Sequence, residues 1–262
     1  MLKVLSLFSG IGAFEKALER LDIEHEVLAY CEIDKYASKA YSIIHNIPES
    51  KNLRDVTTVD IWDVEETVDL ITYGFPCQDI SVAGRQKGFT DDEGNRTRSG
   101  LFFEALRIID EHRPKFAIAE NVKALTSKKF AEEFKTVLES LEEIGYRNYW
   151  QVLNAKDYGI PQNRERVFII SIREDIDKGF AFPDAIPLAL RLKDVLEEEV
   201  DESFYLKNFD GFHWVNDYCA MLDGGTIGKM HDISRRAYDS NHLAPTIPTC
   251  QGGNIHPKVI VR

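Results

Sequence analysis

Short apolar runs alternate with amphipathic segments over the first two thirds of the chain. The run from Leu2 to Phe8 is nearly continuous, which predicts a buried parallel strand. A helix is predicted next, because apolar residues recur at helical spacing: Phe14, Ala17, Leu18 and Leu21. The same patterns predict further strands over 27–31, 68–73, 116–119, 149–153 and 167–172, and helices over 101–109 and 134–144. Strands that alternate with helices predict an α/β fold with a mostly parallel, doubly wound sheet.

The pattern changes after about Arg173. Two prolines fall between Phe182 and Pro187, an acidic run follows over 194–202, and the chain from Gly224 onward has no helical period. These features predict a small irregular region. We therefore predict two domains, residues 1–175 and residues 176–262.

Composition narrows the class of protein. Of the 262 residues, 44% are hydrophobic and 29% charged, a globular balance that excludes a fibre or wholesale disorder. No apolar run approaches the roughly 18–20 residues that span a bilayer, so we predict no membrane segment. The four cysteines form no Cys-x-x-Cys pair, so neither a metal site nor a disulfide scaffold is predicted. A reducing cytoplasm is the expected location.

The net charge of −12 argues against a nucleic-acid partner, because such proteins usually carry a basic surface. Net charge does not describe local patches, however. From Gly224 to the end of the chain, five basic residues face two acidic ones. This tail is locally basic inside an acidic protein, so nucleic acid stays open.

Unusual residues gather at the predicted strand ends, where ligands bind in parallel sheets. Gly10 and Gly12 follow the first strand and would let a cofactor approach the backbone, although Glu15 replaces the third glycine of a dinucleotide motif. Glu32 ends the second strand and could bind ribose hydroxyls, or be a surface acid. Asp55 could accept a bond from an adenine amino group, or be a turn acid. The glycines alone could equally form a plain turn.

Two further strand ends carry catalytic candidates. Cys77, in the segment Gly74-Phe75-Pro76-Cys77-Gln78, is placed as an exposed nucleophile should be, although a lone cysteine is usually buried and inert. Glu120 could protonate or hydrogen-bond a heterocycle under attack, or could cap a helix.

The basic residues offer two more candidates. The segment 81–88 is glycine-bearing and basic, and it could close over a substrate. Arg164 and Arg166 point the same way on an extended segment and could bind phosphate or a base carbonyl, or form an exposed salt-bridged turn.

The ordered set of motifs resembles the DNA (cytosine-5) methyltransferases of restriction–modification systems and phages. The similarity is close over about residues 1–172 and rests on these motifs: Phe8-Ser9-Gly10-Ile11-Gly12, Glu32, Asp55, Gly74-Phe75-Pro76-Cys77-Gln78, Glu120-Asn121-Val122 and Gln162-Asn163-Arg164-Glu165-Arg166. Ser234-Arg235-Arg236-Ala237-Tyr238, Pro245-Thr246-Ile247 and Gln251-Gly252-Gly253-Asn254 look like the end of that family's target-recognition region.

The resemblance implies a Rossmann-like catalytic domain over 1–175 and a target-recognition region over 176–262. Cys77 would attack C6 of a flipped-out cytosine, Glu120 would stabilise the resulting charge, and C5 would take a methyl group from S-adenosylmethionine, leaving S-adenosylhomocysteine. Arg164 and Arg166 would hold the target base. The implied cofactor residues are Phe8, Gly10, Ile11, Gly12, Glu32, Ile33, Asp55, Val56, Pro76 and Leu101. The implied residues that bind double-stranded DNA are Gln78, Ser81, Arg85, Lys87, Arg235 and Arg236.

One departure from the family pattern concerns the end of the chain. Family members continue with an Arg-Leu…Gly-Phe motif and a Gly-Asn-Ser-type motif, which this sequence lacks. We therefore expect a truncated, split or divergent enzyme, with a second chain as one source of the missing motifs. Weak cofactor affinity and little activity are expected of the chain alone. No metal is expected, and the origin is expected to be a prokaryote or a phage.

Three other hypotheses stay open at the level of sequence. A related tRNA methyltransferase shares these motifs, which makes RNA an alternative substrate. A non-catalytic regulatory or DNA-binding subunit would fit the missing C-terminal motifs. An NAD-dependent dehydrogenase would fit the glycines and Glu32 but explains neither Cys77 nor the arginine pair.

Overall fold

The computed structural model describes residues 1–76, 98–207, 209–224, 229–230, 232–247 and 256–261. Two compact units make up the chain. The first unit comprises Met1–Val152 and Arg166–Phe182, and the second comprises Leu153–Glu165 and Pro183–Arg262. The segment 153–165 therefore groups with the second unit, whereas the sequence pattern placed a single boundary near residue 175.

A six-stranded sheet forms the centre of the first unit, with strand order β2-β1-β3-β4-β6-β5. The strands are β1 (Leu2–Leu7), β2 (His25–Cys31), β3 (Leu70–Tyr73), β4 (Phe116–Val122), β5 (Tyr146–Asn154) and β6 (Glu165–Arg173). β1 pairs in parallel with β2 and β3, and β3 pairs in parallel with β4. β6 runs antiparallel to β4. The predicted α/β fold with a mostly parallel sheet is confirmed.

Among the described residues, four helices accompany this sheet: α1 (Ala13–Arg20), α2 (Lys35–His45), α3 (Phe102–His112) and α4 (Ala131–Glu143). The sequence pattern predicted α1, α3 and α4 but did not predict α2. Adjacent strand residues enter different clusters: Leu5 and Ile71 join the large core with α3 and α4, while Val4 and Leu70 join a smaller one. Because neighbouring strand residues point to opposite faces, both faces of the sheet are covered, as a parallel sheet requires.

Asp69 links β1, β3 and the start of β4 by hydrogen bonds, at the end of the sheet where β3 begins. Its carboxylate accepts hydrogen bonds from the Lys3 backbone N–H at 3.0 Å and from the Lys115 ammonium at 2.8 Å. The Lys115 hydrogen bond, followed by the Lys3 bond, lowers the pKa of the Asp69 carboxyl. The charged form of Asp69 therefore stabilises the alignment of β1, β3 and the start of β4.

The second unit contains a four-stranded sheet that the sequence pattern did not predict. Its strand order is β10-β9-β8-β7, formed by β7 (Gly211–Asn216), β8 (Cys219–Asp223), β9 (Arg236–Asp239) and β10 (Lys258–Ile260). A one-turn helix, α5 (Asp232–Arg235), precedes β9. The region is thus less irregular than its composition indicated. Within the described residues of the chain, no helix has the length and apolar character needed to cross a membrane.

Candidate functional site

The segment Ser9–Gly12, which we call the glycine loop, joins β1 to α1 in a left-handed backbone conformation. Gly10 has φ +57° and Gly12 has φ +84°, and a Cβ added at Gly10 would meet no atom within 4 Å. Phe8 also has a positive φ and packs its half-buried ring against the core. Glycine tolerates this conformation without steric cost, and its missing side chain leaves the backbone accessible. The loop therefore offers open space at the end of β1.

The Glu32 carboxylate connects the glycine loop to the start of α2. One of its oxygens accepts the Gly10 backbone N–H at 2.8 Å, and the other accepts the Asp34 N–H at 2.7 Å. A carboxylate oxygen has two lone pairs, so Glu32 can accept further hydrogen bonds from ligand hydroxyls. Glu32 is half-buried and is held in place from two sides.

Asn52 fixes the backbone of Glu32, a role that the sequence did not reveal. Its side-chain oxygen accepts the Glu32 N–H at 3.0 Å, and its amide donates to the Glu32 carbonyl at 2.9 Å. The same amide donates to the Ser38 hydroxyl at 2.8 Å, and the oxygen also accepts the Arg54 N–H at 2.8 Å. Because asparagine is common in turns, the residue type alone does not indicate this role. Only the position of Asn52 alongside β2 reveals it.

The remaining cofactor candidates differ in exposure. Ile11 and Ile33 are exposed by 57% and 73%, which leaves apolar surface beside the loop and after β2. Asp55 accepts the Thr57 N–H at 3.0 Å and caps a short helical turn, so it has at least the local role of a turn acid. Val56 is buried in the core, while Pro76 and Leu101 are half-buried. Among the hydrogen bonds of the described residues, none joins Asp55, Val56, Pro76 or Leu101 to Glu32.

Two buried polar groups lie just behind the glycine loop. Glu15, in the first turn of α1, is 1% exposed, and its carboxylate lies close to the buried Tyr41 hydroxyl. Burial, and next the charge of Glu15, raises the pKa of the Tyr41 hydroxyl. A buried carboxylate in this position was visible in the sequence only as the residue that replaces the third glycine.

Two catalytic candidates of the first unit, Glu120 and Arg166, meet at the end of β4. The Glu120 carboxylate lies 3.0 Å from Nε of Arg166, and the two side chains are 28% and 18% exposed. The antiparallel register that pairs Val122 with Arg166 brings the β6 arginine to the carboxyl end of β4. A charge-assisted Arg–carboxylate pair is strong, and at this exposure it stays accessible to a ligand.

Asn121 connects this pair to the turn that follows β3. Its side chain is buried, and its amide donates to the Phe75 carbonyl at 3.2 Å. Gly74 lies beside Glu120, since a Cβ added there would be 4.0 Å from the Glu120 carboxylate. Glu120 is therefore adjacent to the Gly74–Pro76 turn. Asn121 positions the two strand ends, which the sequence did not indicate.

Several predicted site residues lie outside the described part of the chain: Cys77, Gln78, Ser81, Arg85 and Lys87. Of the cysteines that are described, Cys31 and Cys219 are both buried. Burial raises the pKa of the Cys31 thiol to about 12, which keeps it protonated and unreactive at neutral pH.

Arg164 belongs to the second unit, where its backbone N–H donates to the Asn154 side chain at 3.0 Å. The two members of the predicted arginine pair therefore fall in different units, and only Arg166 is placed against Glu120 by a described contact. The pair was predicted to point the same way from one extended segment, and its joint role stays a prediction.

The second unit carries a cavity of about 510 Å³ with Arg235 and Arg236 in its lining. Arg235 donates to the Asp223 carboxylate and to the Leu222 carbonyl, both at 2.9 Å. His213, more than Arg235, lowers the pKa of Asp223. Arg235 is thus engaged within the unit, whereas Arg236 is exposed on β9. Arg236 is the better placed of the two to contact a ligand.

The family model for C-5 cytosine-specific DNA methylase matches residues 2–257. This chain belongs to that family. It is 36% identical over 289 residues to the orphan methyltransferase M.SPRI of Bacillus phage SPR, covering 96% of this chain and 64% of the phage protein. It is 39% identical over 273 residues to the type II methyltransferase M.Bsp6I of Bacillus sp. (strain RFL6), covering 100% of this chain and 82% of that protein.

A solved structure of similar fold is that of the S. pombe Dnmt2 methyltransferase. It superposes with a TM-score of 0.69 at 21% identity, covering 100% of this chain and 77% of that one. At this identity the likeness shows the fold alone. The predicted family and the Rossmann-like methyltransferase fold are confirmed, while the chain spans 64% of the length of its phage relative M.SPRI.

Proposed function

We propose that the protein is a DNA (cytosine-5) methyltransferase, which transfers a methyl group from S-adenosylmethionine to C5 of cytosine in duplex DNA. The first unit would hold the cofactor and the catalytic residues, and the second unit would recognise the target sequence. Family membership over residues 2–257 supports the reaction class. The observation that carries the proposal is the Glu120–Arg166 pair beside the turn that leads to Cys77.

The residues around the glycine loop fit S-adenosylmethionine. Gly10 faces open space, Glu32 retains lone pairs for ribose hydroxyls, and the exposed side chains of Ile11 and Ile33 can pack against an adenine. Gly12, Phe8, Asp55, Val56, Pro76 and Leu101 complete the proposed set. When bound, S-adenosylmethionine supplies the methyl group that C5 takes up.

Cys77 begins the proposed reaction on a cytosine that has been flipped out of the duplex. Its thiolate forms a bond to C6, and the electron pair displaced from the C5–C6 double bond makes C5 nucleophilic. Glu120 accepts a hydrogen bond from the exocyclic amine and, when protonated, donates to N3, while Arg166 orients its carboxyl group. After methylation, loss of the C5 proton expels Cys77 and restores the double bond.

DNA binding would draw on both units. Arg164 and Arg236 are proposed to bind phosphate or base oxygens, and Gln78, Ser81, Arg85 and Lys87 are proposed to hold the DNA backbone. Arg235 would act indirectly, because its bond to the Asp223 carboxylate stabilises the second unit. The acidic net charge of −12 would limit non-specific DNA affinity.

Duplex DNA that contains 5-fluorocytosine tests the proposal, because fluorine at C5 cannot leave as a proton and the covalent adduct persists. Because the trap needs only a single turnover, even a weakly active chain should form a denaturant-stable DNA adduct when S-adenosylmethionine is present, and Cys77→Ser should form none. Cys219→Ser is the matched control, since that thiol is buried in the second unit. An adduct that survives Cys77→Ser would contradict the nucleophile assignment.

A tRNA substrate is the alternative within the same chemistry. Transfer of radioactive methyl to duplex DNA and to tRNA, measured side by side, distinguishes the two. Methylation of tRNA without methylation of DNA would refute the DNA assignment while leaving the roles of Cys77 and Glu120 intact.

A further inference from the structure

Glu32 lies one residue beyond the end of β2, and its backbone is held there by the side chain of Asn52. The Leu53 N–H donates to the Tyr30 carbonyl at 2.8 Å, so the segment around residue 52 runs along the outer edge of β2. The Asn52 side-chain oxygen accepts the Glu32 N–H at 3.0 Å, and its amide nitrogen donates to the Glu32 carbonyl at 2.9 Å. An amide that bonds both backbone groups of one residue replaces the partner residue of a neighbouring strand, and it fixes that backbone.

The orientation of the Asn52 amide is itself fixed. A primary amide can donate twice and accept twice, and all four bonds are made. Besides the two bonds to Glu32, its oxygen accepts the Arg54 N–H at 2.8 Å, and its nitrogen donates to the Ser38 hydroxyl at 2.8 Å. Ser38 is fully buried, and its hydroxyl lies 3.2 Å from that of Tyr30. Turning the amide over would direct its NH₂ group at two N–H donors, so the network allows one orientation.

The position of the Glu32 carboxylate depends on this backbone. Its two oxygens accept the Gly10 N–H in the glycine loop, at 2.8 Å, and the Asp34 N–H at the start of α2, at 2.7 Å. A flexible glutamate side chain loses rotamer entropy when it is ordered. A carboxylate that is already held between two donors binds a ligand hydroxyl without that loss, which raises affinity.

We infer that Asn52 is a positioning residue for cofactor binding: by fixing the Glu32 backbone, it keeps the carboxylate preorganised for the ribose hydroxyls. Asn52 acts through Glu32 and does not itself contact the ligand. The inference deepens the proposed function and rests on it for the identity of the ligand. When the Asn52 amide is removed, Glu32 keeps its charge but loses its fixed backbone, so the ribose contact should weaken specifically.

Calorimetry with S-adenosylhomocysteine and its 2′-deoxy and 3′-deoxy analogues measures the ribose contact in the full chain. The unaltered chain should bind S-adenosylhomocysteine about tenfold more tightly than at least one analogue, which corresponds to one charge-assisted hydrogen bond. Asn52→Ala should bind S-adenosylhomocysteine about tenfold more weakly, and its preference over that analogue should fall to about threefold or less. In a chain that already carries Glu32→Ala, adding Asn52→Ala should weaken binding by less than about twofold, because the two residues act as one unit.

Asp69→Asn is the matched control for a loss of stability alone. Asp69 lies at the opposite end of the parallel strands from Gly10 and Glu32, so this variant should keep both the affinity and the ribose preference within about twofold. Ser38→Ala is a milder second variant, which removes only the hydroxyl that holds the Asn52 amide. It should weaken binding about threefold and so decides the inference if Asn52→Ala does not fold. A folded Asn52→Ala chain with unchanged affinity, or with weaker binding but an undiminished ribose preference, would overturn the inference, as would unchanged binding in Ser38→Ala.

Amide resonances test the same inference without a ligand. In the ¹⁵N-labelled full chain, the Gly10 and Asp34 N–H groups report on the Glu32 carboxylate that they bond. In Asn52→Ala their resonances should move toward the positions found in Glu32→Ala, whereas in Asp69→Asn they should stay in place. Unmoved resonances in Asn52→Ala would overturn the inference. Failure of every chain to bind S-adenosylhomocysteine would contradict the proposed function instead, and the two amides would then still decide whether Asn52 positions Glu32.

Discussion

Replacing Asn52 tests whether the support behind Glu32 contributes to stability. Asn52→Ala removes four side-chain hydrogen bonds of 2.8 to 3.0 Å, made with Glu32, Ser38 and Arg54. A neutral hydrogen bond contributes about 0.5–1.5 kcal/mol net. Because Asn52 is half-buried, water will replace part of what is lost. We expect the free energy of unfolding to fall by about 2–4 kcal/mol.

Urea unfolding of the full chain, followed by circular dichroism and extrapolated linearly to water, gives this free energy. Thr58→Ala is the control on the same segment, since its hydroxyl makes one bond, to the Asp55 carbonyl at 2.9 Å, and is exposed. It should cost less than about 1 kcal/mol. Asn52→Asp keeps both acceptor bonds but loses the two donor bonds and turns a carboxylate oxygen toward the Glu32 carbonyl oxygen, so the fall in stability should approach that of Asn52→Ala. A loss below about 0.5 kcal/mol for Asn52→Ala, typical of a surface change, would refute the reasoning.

Two other predictions concern charged side chains. The lowered pKa of Asp69 means that its stabilising contribution is present above its unfolded pKa of about 3.9 and is lost as pH falls through the folded value. Asp69→Asn should therefore cost about 1–2 kcal/mol at neutral pH and flatten the acid side of the stability profile; an equally steep acid loss in the variant would contradict it. In the second unit, Arg236→Ala should lower the slope of log DNA affinity against log salt by about one, whereas Arg235→Ala should lower the unfolding stability through Asp223. Equal salt slopes for Arg236→Ala and the unaltered chain would count against a phosphate contact by Arg236.

Helix α2 was not predicted, because the positions of its apolar residues do not match its buried face. Its buried positions include Ser38 and Tyr41, while Ile43 and Ile44 are exposed. The apolar residues therefore do not mark the buried face, and a search for an apolar stripe finds none. In the structure, the Asp34 side chain caps the helix by accepting two backbone N–H groups, a local hydrogen-bonding feature that the apolar pattern does not contain.

The second sheet was missed for a related reason. Its most buried residues include small ones, Ala220 and Ala237, while β7 exposes Phe212 and Trp214. Strands of this kind lack the alternation that predicts a half-buried sheet. In contrast, long apolar runs such as Leu2–Leu7 were correctly predicted as strands, because full burial leaves little choice of residue.

The residues of the candidate site also fall into those that sequence motifs indicated and those that only the structure revealed. Sequence motifs indicated Glu32, Glu120 and Arg166 as candidates, because their residue types fit known chemistry at strand ends. The residues that hold them, Asn52 and Asn121, were not identified, because their roles depend on register and on contacts between distant segments. Candidate ligand-binding residues can be proposed from their chemistry, but the residues that support them become visible only through geometry.

The His45 ring occupies the space that a side chain at Gly12 would need, which restricts how the two positions can vary during evolution. A smaller residue at 45 would remove the nearest steric obstacle to a side chain at 12, but Cε2 of Tyr41, 2.9 Å from an added Cβ, would remain. The substitution would not change the backbone there, whose φ of +84° disfavours any residue with a Cβ. Position 12 is thus constrained by the space around it and by its backbone conformation, whereas position 45 is constrained only by its packing against the loop. Related sequences can lose the histidine while keeping the glycine, and a lineage that replaces the glycine must rebuild the loop itself.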